Sequence, residues 1–484
     1  MGAIRRAARE LRRKAEQTPA RRDRHVDLLR AVSIAAVVIG HWLVIQVTYD
    51  GGLHGASLLD LVPWTRPLTW LFQVMPIFFL VGGFANAASL ASHRRHGGGV
   101  SGWTLRRTDR LVRPTTMLLA VLTTVALVAG AVGADPAMIG MAVWVAGIPL
   151  WFLVAYLAVV VLTPPMHVLH RRYGLAVPIV LVLLVGAGDV ARLGLRIPHG
   201  GEGNFLFAWL AVHQLGFAWQ DGRLPRLALP LALGGLVALV ALTVFGPYPV
   251  SMVGVTGEIQ NTSPPTLALL ALATAQTGLA LLLHDPCERW LRGVRRWTVV
   301  VAVNSVIMTL FLWHLTAAVL GVLALYPTGL LPQPSPGSVP WFLLRLPWLA
   351  VLALILCLLV AVFGPVERRA GPSPPVPGRG AGVLTAIGMA GVLAGLLGIA
   401  MAGPGHHGPA GMPTGALVAY FAGAAVLRFT RSGRGGPSSG RAGRSGARSL
   451  RTRVAARRRG SPPAGGHGRG PGGFGQAAVR RIVG

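Results

Sequence analysis

The sequence predicts an all-α fold: a polytopic integral membrane protein with a ten-helix core, about two further helices after it, and a disordered basic tail. Three observations carry that expectation. Apolar residues fill 53% of the 484 positions and charged residues only 12%, about half the charged share of a soluble domain. The apolar residues gather in runs of about 20, the length that crosses a hydrocarbon core. The arginines behind the formal net charge of +30 cluster in the N-terminal segment, in short loops and in the tail. That distribution suits membrane orientation better than a groove reader, so the lipid bilayer is an expected partner and nucleic acid is not.

Residues 1–24 form a basic leader, with Arg9, Arg12, Arg13, Lys14, Arg22 and Arg24 among its cations. The positive-inside rule keeps it in the cytoplasm, so the first helix runs outward. No cleavable signal peptide is expected, because the first apolar run is too long for one. That run, His25 to Tyr49, is the first span and the most informative stretch of the chain. It carries Asp27 and Arg30 near its start and His41 well inside, and ionisable groups within a membrane are costly enough that they usually serve a function. Arg30 and His41 are eleven residues apart, about three turns, so they share one face roughly 16 Å apart along the axis. Asp27 lies one turn before Arg30, at the spacing of an ion pair. A long anionic molecule lying along this face would touch both the guanidinium and the imidazole.

The second span, Leu68 to Ser92, contains MPIFFLVGGFANAAS, whose small residues allow close helix approach. A basic loop from His93 to Arg113 follows. Its RRTDRLVRP run spaces cations at i, i+3 and i+4, a helix face suited to phosphates as well as a topology signal. Spans three to eight are expected at Thr115–Val132, Met141–Leu162, Leu175–Leu193, Phe205–Trp219, Leu227–Phe245 and Thr266–His284. His213 and Gln214 in the sixth read as acceptor contacts or, better, as a helix-packing pair. Span nine, Thr298–Leu325, holds Asn304 and His314, the latter either a second acid/base group or a bond to a neighbouring helix. Span ten is Trp341–Phe363. Beyond residues 25–365 come a Pro/Gly linker at 366–382, two apolar helices within 383–429, and an Arg/Gly-rich tail at 430–484 with no acidic residue, expected to be disordered and cytoplasmic.

Several function classes are weakened by what the chain lacks. Nearly all of its fifteen acidic residues fall in the leader, in loops or at span ends, so no interior carboxylate stands ready as the ion site of a coupled transporter. A lipid or glycolipid flippase remains the alternative to an enzyme. No metal is expected: Cys287 and Cys357 show no ligand spacing, and His406-His407 lack a third ligand.

The run Asp27-Leu-Leu-Arg30, ten residues, then His41 resembles the Arg-x10-His signature of the acyltransferase 3 family of bacterial membrane enzymes. The family's FFxxSGF element is matched by Phe78, Phe79, Gly83 and Phe84, with Gly82 where the family has serine. Its arginine-proline element resembles Arg107 to Pro114, its W-x-L-x-x-Y segment Trp151, Leu153 and Tyr156, and its late histidine segment FLWHLTA with His314. The resemblance covers about residues 25–365. It implies an O-acyltransferase in the bacterial cytoplasmic membrane, with no bound cofactor and acyl-CoA as donor substrate. The acceptor would be a hydroxyl of a cell-surface glycan, lipid or small molecule. It further implies His41, Arg30 and Asp27 as catalytic residues and Arg107, Arg110 and Arg113 as donor-phosphate contacts. His314, Phe84 and Trp151 would stand near the acceptor or behind the catalytic groups. Two routes are open, general-base catalysis by His41 or an acyl-histidine intermediate.

Overall fold

Helix α1 (Gly2–Glu16) is amphipathic and basic, and its apolar face, through Ala15, rests on Leu291, Trp297 and Val300. In this computed structural model the described residues are 2–19, 22–49, 53–326, 328–329, 332–368, 380–403, 408 and 410–431. Most of the expected linker, His406-His407 and the tail beyond Arg431 lie outside them. Residues 1–435 form one compact unit.

The first span is helix α2 (Arg24–Val44). It ends earlier than its apolar run because IQVTY, rich in β-branched residues, leaves the helix as strand β1 (Ile45–Tyr49) and pairs antiparallel with β2 (Leu53–Ser57). Arg345 anchors this hairpin through Gln46 and the Ile45 carbonyl. Two short helices, α3 (Leu58–Leu61) and α4 (Thr69–Phe72), flank a 3-10 turn and lead into α5 (Met75–Arg95). The second span is therefore broken just before Met75, with Pro76 in its first turn, where a missing N–H costs nothing.

Helix α6 (Val100–Ala131) takes in most of the stretch expected as a basic loop. Pro114 sits inside it, and the hydroxyls of Thr115 and Thr116 bond back to Leu111 and Val112. The fourth span is divided at Pro149 into α7 (Pro136–Gly147) and α8 (Leu150–Tyr173). Helices α9 (Ala176–Asp189), α10 (Asn204–Gln220), α11 (Ala228–Val244) and α12 (Leu267–Leu282) follow their expected positions closely. Helix α12 bends by 49° into α13 (His284–Trp290). The ninth span is broken at Ser305 into α14 (Val294–Asn304) and α15 (Ile307–Leu325). Glu367 caps the second piece, accepting from the backbone N–H groups of Met308 and Thr309 at 3.0 and 2.8 Å. Helices α16 (Val339–Arg368), α17 (Ala381–Met401) and α18 (Thr414–Arg431) complete the described chain.

Nine of the described helices or helix runs are long and apolar enough to cross a membrane, and ten if the bent α12–α13 pair counts as one span. The protein is a multi-pass, all-α membrane protein. Residues from α2, α5, α6, α8, α10, α12 and α15 share one core, whereas α9, α11 and α16 expose long apolar faces such as Leu183, Val237 and Leu354. In a membrane protein such faces meet lipid.

Close approach at the centre depends on glycine. A β-carbon at Gly83 would lie 2.1 Å from the His213 carbonyl oxygen, and one at Gly216 would lie 2.1 Å from the Leu80 carbonyl oxygen. Helices α5 and α10 therefore touch backbone to backbone. The same kind of contact joins α17 to α18 through Gly391, Gly395 and Gly423. This pair packs against α6: the Tyr420 hydroxyl bonds with Thr116 Oγ1 and the Val112 carbonyl at 3.0 and 3.1 Å. Tyr420→Phe is expected to cost about 1 kcal/mol, the net worth of a buried hydrogen bond, read as a lowered Tm in detergent.

One carboxylate expected at a span end is buried. Asp189 is 3% exposed and accepts from the Tyr248 hydroxyl, Asn204 Nδ2 and the Leu267 N–H at 2.8, 3.0 and 2.8 Å. Its oxygens are committed to holding α9, α10 and α12 together.

Candidate active site

The N-terminus of α2 is held by two carboxylates. Asp23 accepts from the Val26 N–H at 3.0 Å as N-cap, and Glu288 of α13 accepts from the His25 N–H at 2.8 Å. Two of the four donors a helix start leaves open are thus satisfied, one of them by a residue far along the chain. One turn in, the Asp27 carboxylate accepts from Arg22 Nε at 2.6 Å and from Arg30 at 3.2 Å. Its backbone carbonyl accepts from Asn304 Nδ2 at 2.9 Å, tying α2 to α14. Asp27 is nearly buried, with 6% of its side chain exposed, against 25% for Arg30. Arg30 also reaches the Val81 carbonyl of α5 at 3.4 Å. A guanidinium has five N–H donors in a planar fork, so this pairing orients Arg30 without exhausting it.

Three turns farther on, His41 Nδ1 lies 2.8 Å from the Val37 carbonyl. A carbonyl only accepts, so the proton is on Nδ1 and the Nε2 lone pair is left to act as a base. His314 of α15 repeats the pattern, donating from Nδ1 to the Phe311 carbonyl at 2.6 Å. Its Nε2 is buried with no hydrogen-bond partner among the described residues. The two rings are 5.0 Å apart between centroids and tilted by 58°. Trp42 locks them together, its Nε1 donating to the His314 carbonyl at 2.9 Å. Two imidazoles with matching tautomers thus face one another across α2 and α15.

Of the three α6 arginines, Arg107 is near enough to Arg30 and to His213 to act on both electrostatically. Arg110 is exposed. Arg113 pairs with Asp109 at 2.5 Å, and Asp109 also binds Arg431 of α18. Arg113 and Asp109 thus face the C-terminal helix α18, whereas Arg107 acts electrostatically on Arg30.

The aromatic candidates pack within the helical core. Phe84 packs on Trp219 of α10 with ring centroids 4.9 Å apart, and Trp151 is partly buried against the core. Phe79 stacks on Trp209 at 4.5 Å and meets Phe152 and Tyr156. His213 bonds through Nε2 to Asn86 at 3.1 Å and Gln214 donates to the Met166 carbonyl, which is the helix-packing role expected of them.

The Gly82 position is explained by Tyr156. A β-carbon there would lie 2.9 Å from the Tyr156 hydroxyl and 3.0 Å from its ring, so the phenol already fills the space of a serine side chain. Gly82→Ser is expected to destabilise the protein by about 1–3 kcal/mol through overpacking. Tyr156→Phe in the same chain should recover part of the lost Tm, because it removes the clashing oxygen.

Sequence reasoning missed Glu288 as a cap of α2 and Asn304 as the tie to Asp27, since both contacts join residues more than 250 positions apart. It also offered no spacing for the one His/carboxylate group with metal-like geometry among the described residues, Asp23, His284 and Glu288.

The acyltransferase domain model of the acyltransferase 3 family matches residues 23–366. No curated protein and no solved structure matches the chain. The matched segment runs from the N-cap of α2 to the end of α16 and contains Asp27, Arg30, His41, Arg107 and His314. With about seven-tenths of its length covered in this way, the chain belongs to the acyltransferase 3 family, and it is a membrane acyltransferase.

Proposed function

We propose that this acyltransferase moves an acyl group from acyl-CoA to a hydroxyl of a glycan, lipid or small molecule of the bacterial cell envelope. The observation that carries the reading is the single face of α2. It presents Arg30 with Asp27 and Arg107 at one end and His41 with His314 about three turns away.

In this reading the donor's phosphates rest on Arg30 and Arg107, with the exposed Arg110 at the mouth, and the pantetheine arm lies along α2. Arginine suits this task because its fork matches phosphate oxygens and keeps its charge. The thioester then reaches His41. Its Nε2 takes the proton of the acceptor hydroxyl as the oxygen attacks the thioester carbonyl; the carbon–sulfur bond breaks and the proton passes to the departing thiolate. His314, protonated on Nδ1, presents a second lone pair beside the first. A direct attack of His41 Nε2 on the thioester, giving an acyl-histidine, is the other route.

The orientation belongs to the same proposal. The ends of α5 and α8 and the starts of α6 and α14 carry Arg94, Arg95, Arg106, Arg107, Arg171, Arg172, Arg295 and Arg296, and the positive-inside rule places that end, with α1, in the cytoplasm where acyl-CoA resides.

The experiment is to incubate purified protein in lipid nanodiscs with acyl-CoA and an extract of envelope acceptors. Free CoA and acylated product are followed by mass spectrometry. Stoichiometric release of CoA with product supports the proposal. A protein that moves lipid across the bilayer while leaving acyl-CoA intact is a flippase.

A further inference from the structure

The start of α2 meets the α12–α13 bend at a group of side chains that the acyl-transfer scheme does not use. Asp23, His284 and Glu288 each offer a ligand atom, and these atoms lie within 4.8 Å of one another. Asp23 Oδ2 faces His284 Nε2 at 3.3 Å. The other oxygen of Asp23, and one oxygen of Glu288, are engaged with backbone N–H groups of α2, which orients both carboxylates and leaves each a second oxygen.

Both nitrogens of His284 face carboxylates, Nδ1 the Asp285 carboxylate at 2.9 Å and Nε2 that of Asp23 at 3.3 Å, so a metal ion at Nε2 would take the place of the proton there while Nδ1 keeps its donor bond. His25, 1% exposed, uses Nε2–H to reach the Ala280 carbonyl at 2.9 Å. Its lone pair is then on Nδ1, which is buried without a hydrogen-bond partner among the described residues. The His25 ring stands edge-on to His284 with centroids 5.4 Å apart, and it is acted on electrostatically by His284, Asp23 and Glu288. With Nε2 committed to α12, Nδ1 is the nitrogen of His25 left without a partner beside the cluster among the described residues. An imidazole whose far nitrogen donates to a carboxylate or carbonyl is the usual support of a metal ligand.

The charges fit as well. Asp23, Asp285 and Glu288 converge here, while the neighbouring Arg24 turns away to the Leu291 carbonyl and over the Trp297 ring, and Arg22 is paired with Asp27. One imidazole nitrogen and two carboxylates, with a fourth position left for water or a further side chain, are a donor set for zinc-class divalent ions, whose ligand atoms in a tetrahedral site are about 3.3 Å apart.

We propose that Asp23, His284 and Glu288 bind a divalent transition-metal ion that clamps the first turn of α2 to the α12–α13 bend, with the fourth position taken by water or by His25 from beside the cluster. The ion is structural: it sits one turn from Asp27 and fixes the helix that carries Arg30 and His41. The proposal stands apart from the acyl-transfer scheme and is tested without an activity assay.

Full-length protein in detergent is stripped with chelator and titrated with Zn²⁺, bound metal being counted by elemental analysis. Co²⁺ serves as the spectroscopic probe. The expected result is one ion per chain and cobalt ligand-field bands typical of four-coordinate nitrogen and oxygen donors. His284→Ala and His284→Asn should both abolish the bands, and Asp285→Asn should weaken binding about 10- to 100-fold by removing the support of His284. His199→Ala, at an exposed histidine paired with Glu202, should change nothing. Tryptophan-fluorescence melting identifies any variant that fails to fold, and Asp285→Asn then decides. Absence of metal binding by the wild-type chain, or binding unchanged in folded His284 and Asp285 variants, overturns the proposal.

Discussion

His41→Ala is expected to lower the rate of acyl transfer by about 10²- to 10⁴-fold, the usual worth of a positioned general base, while leaving membrane insertion and Tm near those of the wild type. The structural cost is small because, among the described residues, the ring's hydrogen bond goes to a carbonyl of its own helix, whereas Trp42 and not His41 makes the tie to α15. His41→Gln should not rescue, since an amide accepts a hydrogen bond but does not take a proton. Product formation under single-turnover conditions measures the chemical step directly, and a folded His41→Ala protein with wild-type turnover would remove the base from the scheme. The same experiment separates the two routes. An acyl-histidine intermediate predicts a covalently acylated His41 peptide when acceptor is withheld, and general-base catalysis predicts none.

Arg30→Ala is expected to raise the KM for acyl-CoA by about 10- to 150-fold, the range set by losing one charge-assisted hydrogen bond of roughly 1.5–3 kcal/mol. The loss should fall on donor binding and not on the rate at saturating donor, because Arg30 lies about three turns from His41 on α2. Arg30→Lys should recover part of the affinity, keeping the charge but not the fork. Arg107→Ala should show a similar but smaller effect, since it acts from α6, and Arg113→Ala a still smaller one, since its partner is Asp109. Donor titrations at fixed acceptor give the comparison. An Arg30→Ala enzyme with unchanged dependence on acyl-CoA would assign the phosphates to other residues.

The pairing of Arg30 with His41 was legible because it depends only on helical period, which is a property of local sequence. Asp27 was legible for the same reason, and the structure bonds it to Arg30 as the i, i+3 spacing suggests. The choice among Arg107, Arg110 and Arg113 was not, because which face of α6 turns inward is decided by where α18 docks. That docking runs through Tyr420 and Arg431, more than 300 residues away. The hydrophobic runs gave the positions of the helices but not their breaks, and of the roughly twelve expected spans nine or ten of the described helices are long and apolar enough to cross a membrane. The break at Ser305 depends on Glu367 of a later helix capping α15, and the early end of α2 depends on IQVTY finding a partner strand. Asp189 read as a span-end residue, and its burial was not legible because its three hydrogen-bond partners come from three other segments. Long-range polar pairing leaves no periodic trace in a sequence, whereas burial against lipid does.

The central claim is that the cationic start of α2 and the imidazole pair near its end line one donor path. Photo-crosslinking with an acyl-CoA analogue whose reactive group is on the acyl chain tests it most directly, with labelled peptides identified by mass spectrometry. The account predicts labels on α2 around His41 and on α15 around His314, suppressed by excess acyl-CoA and diminished in Arg30→Ala. Competable labels confined to the lipid-facing helices α11 or α16, with α2 and α15 unmarked, would contradict it.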